Sequence, residues 1–120
     1  MVLTSLLLPS MVRRNAGHVL NISGVFSGGA DGWLHYYVSK KALEAFTIGL
    51  AQEVWDVEVQ VNCISPADVA TEPYERFYPE SADRALKPEE VAEVALMLLG
   101  DASRHITGQI IEVRNRADHS

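Results

Sequence analysis

Two residues one helical turn apart, Tyr36 and Lys40, could move a proton together. Side chains at i and i+4 of a helix lie on one face, so a phenol and an ammonium held there act as a unit. An unperturbed phenol loses its proton near pH ~10, and a cation a few ångströms away favours the phenolate, as a general acid or base working near neutrality requires. Thirteen positions before Tyr36, Ser23 closes an apolar run, His18-Val-Leu-Asn-Ile-Ser23. A serine hydroxyl is a small neutral donor, suited to steadying an oxygen on which charge develops. Each residue also has a structural reading: a helix-start aromatic, a solvated surface lysine and a strand-end cap. Tyr37 and Lys41 repeat the spacing of Tyr36 and Lys40, so two registers of the pair are open.

The elements that must position these residues follow from periodicity. Apolar spacing predicts a helix at about 2–14, a strand at about 18–23, a loop over 24–34 and a helix at about 36–54, then a strand at about 58–64. An irregular segment over 66–86, a helix over 88–99 and a strand at about 109–113 follow. Strands alternating with helices imply an α/β fold with right-handed crossovers and a parallel sheet. Leu3, Leu6, Leu7 and Met11 share one face of the first helix; Pro9 is expected to bend it and Ala16-Gly17 to end it. The second helix is expected to bury Leu43, Phe46, Leu50 and Val54, with Tyr36 and Lys40 at its first turns facing the loop after the first strand. Pro88 followed by Glu89 and Glu90 marks the start of the third helix, where carboxylates meet the positive end of the dipole. Cys63, in an apolar alternation, reads as a buried strand residue.

In order, Asn21-Ile-Ser23, Tyr36-Tyr-Val-Ser39-Lys40-Lys-Ala42-Leu43, then Val59-Gln-Val-Asn-Cys-Ile-Ser65-Pro66 and Thr71 resemble the catalytic half of the short-chain dehydrogenase/reductase family. The likeness runs from about the first residue to Val113. It implies a Rossmann-like parallel sheet of which this chain is the C-terminal part, three strands with flanking helices. It implies an NAD(P)-dependent oxidoreductase that interconverts an alcohol and a carbonyl by hydride transfer, with NAD or NADP as cofactor and a small-molecule alcohol or carbonyl as substrate. In that frame Tyr36 gives or takes the hydroxyl proton, and Lys40 holds the nicotinamide ribose and favours the phenolate. Ser23 bonds the substrate oxygen, and the resemblance implies structural roles for Asn62, tying strand to loop, and for Asn21. Pro66, Ala67, Val69 and Thr71 stand where the family lines the nicotinamide, although Ala67 replaces the usual glycine and leaves less room for backbone approach. Ser39-Lys40 with Ala42-Leu43 fits the family pattern with Tyr36. The family often has two small residues after Asn-Ile, the second catalytic, and that second place is Gly24; Ser23 keeps the family distance to Tyr36, and Gly24 keeps it to Tyr37.

The Gly-rich turn that holds a pyrophosphate after the first strand of a dinucleotide fold has no counterpart here, since Gly24, Gly28 and Gly29 lie too far from the next helix. A truncated or mis-started chain is therefore expected, with residues 1–113 the C-terminal half of a dehydrogenase domain and 114–120 a frayed polar tail. The first strand should then be an open apolar edge, and the free chain marginal or prone to aggregate. A catalytically inactive half-domain that associates through its first two helices is the alternative, and those helices are also the expected homo-oligomer contact. At 120 residues, 48% hydrophobic and 22% charged, the composition is that of one globular domain. A net charge of −6 without a basic run argues against nucleic acid, and a single cysteine excludes an internal disulfide. No metal-ligand spacing occurs among the four histidines. Arginines that follow the N-terminal apolar run instead of preceding it, and no apolar run of membrane length, lead to the expectation of a cytoplasmic protein without membrane attachment. Residues 72–85, with Pro73, Tyr74, Phe77, Tyr78 and Pro79, occupy the place of a variable substrate loop.

Overall fold

The computed structural model describes residues 2–24, 32, 34–67 and 85–116. In chain order these form α1 (Val2–Arg14), β1 (Gly17–Ile22), α2 (Leu34–Glu53), β2 (Val59–Pro66), α3 (Pro88–Leu99), a short 3₁₀ turn (Asp101–Ser103) and β3 (Ile110–Val113). The three strands are parallel in the order β1-β2-β3. Gly17 stands opposite Val59 and Ile22 opposite Ile64, while Cys63 to Pro66 run beside Ile110 to Val113. The α/β alternation read from the sequence is present, with element ends within about two residues of those expected.

Central β2 is buried along almost its whole length, which explains its near-continuous apolar character. One of its two amides, Asn62, is tied to the turn before β3: Nδ2 donates to the Ile106 carbonyl at 2.9 Å, and Oδ1 accepts the Gln109 N–H at 3.1 Å. The strand-to-loop role expected of Asn62 is thus the one observed. Gly108 completes that turn at φ +72°, a conformation disfavoured for residues with a Cβ, and its N–H reaches the Val61 carbonyl at 2.7 Å. On one side of the sheet, Leu50 and Ala51 of α2 and Val54 just beyond its end pack with Val59 and Val61, joined by Leu8 and Met11 of α1. Leu98 of α3, 1% exposed, belongs to the buried set as well.

Three local expectations change. α1 runs through Pro9 and closes at Asn15 instead of Ala16-Gly17: Asn15 takes φ +53°, and the Asn15 and Ala16 N–H groups return to the Val12 and Met11 carbonyls. Asparagine tolerates this left-handed position, and here its Oδ1 also accepts the Glu58 N–H at 2.9 Å, tying the helix end to the start of β2. Leu50 of α2 and Val54 just past its end are buried as expected, but Leu43 and Phe46 only half so; the buried face of α2 instead includes Glu44, Thr47 and Ala51. The tail is anchored further than expected, because Asn115 Nδ2 donates to the Ala85 carbonyl at 3.0 Å. A polar anchor leaves no trace in an apolar period. Residues 117–120 lie outside the described set.

Among the described residues β1 has a strand partner on one side only, β2, and Ile22 at its end is 42% exposed. The open edge expected of the first strand is present in that sense. No helix of the described residues is long and apolar enough to cross a membrane.

The two Asn62 bonds yield a stability test. Asn62→Ala removes the side-chain acceptor of the Gln109 N–H and one of two side-chain donors to the Ile106 carbonyl, Gln60 Nε2 being the other, and should lower unfolding free energy by about 1–3 kcal/mol in urea melts. A change under about 0.5 kcal/mol, the range of neutral surface changes, would show that the turn is held by its backbone bonds and by Gln60 and Thr107 without Asn62.

Candidate active site

Parallel pairing brings the C-terminal ends of β1 and β2 together, and the Ser23 N–H extends the ladder by bonding the Ile64 carbonyl at 2.8 Å. The crevice outside strand C-termini is where open α/β sheets bind ligands. Lys40, in the second turn of α2, reaches that end: its Nζ donates to the Ile22 carbonyl at 3.1 Å. The ammonium sits 5.4 Å from the centre of the Tyr36 ring, and Tyr36 is 45% exposed. An ammonium has three donors, so bonding one carbonyl leaves capacity for further oxygen acceptors.

The second register is arranged differently. Lys41 lies 5.8 Å from the Tyr37 ring centre, but its Nζ pairs with Glu44 Oε1 at 3.2 Å. One lysine is thus committed to the strand end and the other to a carboxylate on its own helix. Ser23 also meets Glu44: its Oγ donates to Oε2 at 2.6 Å, and the residue is only 4% exposed. Its hydroxyl faces the contact between β1 and α2. One position earlier, Asn21 Nδ2 donates to Thr47 Oγ1 at 3.1 Å, and that hydroxyl in turn donates to the Leu43 carbonyl at 2.8 Å. Three successive residues of β1 and its end, 21 to 23, therefore bond Thr47, Lys40 and Glu44 of α2.

Glu44 and Thr47 were not singled out by motif or by apolar period. A signal was present: Lys40, Glu44, Thr47, Ala51 and Val54 recur at intervals of four and three, one stripe of a helix in which polar members are mixed with apolar ones. Behind them, Cys63 is fully buried on β2 opposite Asn21. Burial pushes its thiol above its ordinary value and the Glu44 charge adds to this, against hydrogen bonding with Ser23 and the Lys40 charge, which pull it down.

Of the residues expected to line a nicotinamide, Pro66 ends β2 and Ala67 follows it, both half-buried, with the Ala67 N–H donating to the Val113 carbonyl at 2.9 Å. Both lie beyond Ile64, the partner of Ile22, so β2 overhangs β1 where Lys40 docks. Val69 and Thr71 lie outside the described residues, as do 25–31 of the loop before α2 and 72–84 of the segment before α3.

A family model described as enoyl-(acyl carrier protein) reductase matches residues 1–115. The uncharacterized oxidoreductase YmfI of Bacillus subtilis is 34% identical, over 93% of this chain and 50% of its own. A 3-oxoacyl-(acyl-carrier-protein) reductase of Thermotoga maritima is 31% identical over 92% of this chain and 49% of its own. Among solved structures, a 3-oxoacyl-(acyl-carrier protein) reductase from Brucella melitensis superposes with a TM-score of 0.82 at 31% identity, covering 92% of this chain and 45% of that one. A reductase structure from the same organism with bound NAD gives 0.79 at 32% identity, covering 92% and 44%. The chain spans about half the length of the curated relatives it matches.

The Cys63 environment gives a pH dependence with a definite sign. A thiol raised above its ordinary value of 9.0 holds its proton more tightly in the folded chain than in the unfolded one. Its contribution is complete below the ordinary value and is lost as pH rises through the raised one. Between about pH 8 and about pH 10 the parent should lose more stability than Cys63→Ala, as read from denaturant melts at both values. Equal losses in the two proteins would show that the thiol titrates as it does in the unfolded chain.

Proposed function

The chain belongs to the short-chain dehydrogenase/reductase family, and we propose that it carries the proton-transfer half of an NAD(P)-dependent site that interconverts an alcohol and a carbonyl. The observation that supports this most directly is the docking of Lys40 on the Ile22 carbonyl with the exposed Tyr36 ring beside it, at the C-terminal end of the sheet. In carbonyl reduction Tyr36 gives its hydroxyl proton to the substrate oxygen; in the reverse direction it takes the proton back. Lys40, with donors to spare, is placed to hold ribose hydroxyls. Ser23 is the candidate donor to the substrate oxygen, subject to its bond with Glu44. Pro66, Ala67, Val69 and Thr71 are proposed as the wall on which a nicotinamide rests. A bound NAD or NADP supplies or accepts the hydride. The described residues fit the nicotinamide end of such a cofactor: a lysine donor at the strand mouth and an overhanging β2 end.

Commitment of Lys41 to Glu44 supports the Tyr36–Lys40 register over Tyr37–Lys41. The names of the relatives make a 3-oxoacyl thioester the first carbonyl to try. Tyr36→Phe should lower turnover by about 10²–10⁴, the range of a lost general acid, while Tyr37→Phe keeps most of it. Loss confined to the second variant would reverse the register.

A second reading, association without catalysis, draws support from the helix surfaces. Leu6, 73% exposed, and Leu7 stand out on α1, and Leu34, Val38 and Ile48 on α2. Apolar side chains gathered on two helices favour self-association through them. Titration of the chain with NADH and NADPH separates the readings, since tight binding defeats a purely associative role. Independently, Leu6→Lys combined with Ile48→Lys should reduce the sedimenting mass relative to the parent at equal concentration; an unchanged mass places the contact elsewhere.

A further inference from the structure

The strands are parallel, so the end of the sheet away from Lys40 is formed by their N-terminal residues, and there a pocket of about 240 Å³ opens between the start of β2 and the turn before β3. Trp55, Val57, Glu58, Val59, Arg104 and His105 line it. Roughly 17 Å of strand separates Val59 from Ile64, the partner of the Ile22 on which Lys40 docks, so the pocket is distinct from the candidate active site. Its walls are pinned. The Glu58 N–H is held by Asn15 Oδ1 at 2.9 Å, Gln60 Nε2 donates to the Ser103 and Ile106 carbonyls at 2.6 and 3.0 Å, and the Val61 N–H is held by Thr107 Oγ1 at 3.0 Å. A pocket formed in advance loses little ordering entropy when it is filled.

The lining narrows the ligand. Val59, 4% exposed, and half-buried Val57 supply an apolar part, whereas the Trp55 indole is 67% exposed, a large aromatic surface left to water. Arg104 donates from Nε to His105 Nε2 at 3.3 Å, which leaves its two Nη groups, a fork that fits both oxygens of a carboxylate. Glu58 adds an acceptor suited to an ammonium. Among the described residues neither of these two charges is in an ion pair, with the other or with a third group. A purely anionic ligand meets the Glu58 charge and a purely cationic one the Arg104 charge, while a molecule bearing both charges is opposed by neither. We propose that this pocket binds a free α-amino acid with an aromatic side chain, its carboxylate on Arg104, its ammonium on Glu58 and its ring against Trp55 and the valines. The pocket is built from residues outside the Tyr–Lys–Ser set and does not depend on the oxidoreductase reading.

The test titrates the 120-residue chain with L-phenylalanine, with phenylpropionate, which lacks the ammonium, and with phenethylamine, which lacks the carboxylate. Binding is read by isothermal calorimetry, and by indole fluorescence in a Trp33→Phe background that leaves Trp55 as the sole indole. L-phenylalanine should bind with a Kd on the order of 1 mM and shift the Trp55 emission, and each one-charge analogue should bind at least about tenfold more weakly. R104Q and E58Q, both at exposed positions, should each weaken L-phenylalanine by about tenfold. Saturating NADH should leave its affinity unchanged in calorimetry. Neither heat nor an emission change at ten times the expected Kd overturns the proposal. So does equal binding of the three compounds, which reduces the pocket to an aromatic surface, and so does undiminished binding by R104Q or E58Q. Competition by NADH would move the bound molecule to the mouth of the sheet and overturn the site as well.

Discussion

The structure around the candidate site depends on the attachment of one helix to the end of one strand. Three consecutive residues, Asn21, Ile22 and Ser23, are each bonded to α2, through Thr47, Lys40 and Glu44. Two of these bonds involve side chains on both partners, and the third brings a lysine onto a backbone carbonyl. Apolar packing between α2 and β2 holds the two elements together but is tolerant of small slides, because area burial is not directional. Hydrogen bonds are directional. They determine which turn of α2 faces the strand end, and so place Tyr36 and Lys40 there instead of half a turn away.

Glu44 gives this attachment its character. A buried carboxylate costs more than it returns unless its oxygens are satisfied, and here Ser23 occupies one and Lys41 the other. The arrangement draws Lys41 toward Glu44 and leaves Lys40 for the strand end. Two lysines adjacent in sequence thus acquire different surroundings from a single acidic residue three and four positions further along the helix. No spacing rule applied to Tyr-x-x-x-Lys alone distinguishes them, since the motif occurs twice.

Much of the scaffold was legible because burial and turn chemistry write themselves into residue order. The α/β alternation, the start of α3 at Pro88 and the buried Cys63 all follow from patterns with a local cause, whereas the tie made by Asn62 was legible through the family resemblance. The site was legible as a set of candidates but not as a geometry. Ser23 reads as a donor facing a ligand only if its rotamer is assumed, and the structure turns it toward Glu44. The buried stripe of α2 was misjudged for a related reason. An apolar period counts Leu43 and Phe46 and passes over Glu44 and Thr47, although these two are buried because each finds a partner on β1 or just past its end. Polar residues enter a core in pairs from distant parts of the chain, and a single element cannot announce both members.

The same attachment bears on what this three-stranded sheet can hold. β1 is an edge among the described residues, and an edge strand frays most readily at its ends. Its C-terminal end is the part that Lys40 touches. Yet that end is also where the three bonds to α2 are concentrated, while its beginning at Gly17 is packed under Met11, so closely that an added Cβ would lie 2.6 Å from the sulfur. The strand is therefore held at one end by steric fit and at the other by side-chain bonds, with β2 along only one flank. In such an arrangement, the geometry of Tyr36 and Lys40 relies less on a neighbouring strand than on α2, and the polar stripe of that helix does work that a longer sheet shares among more strands.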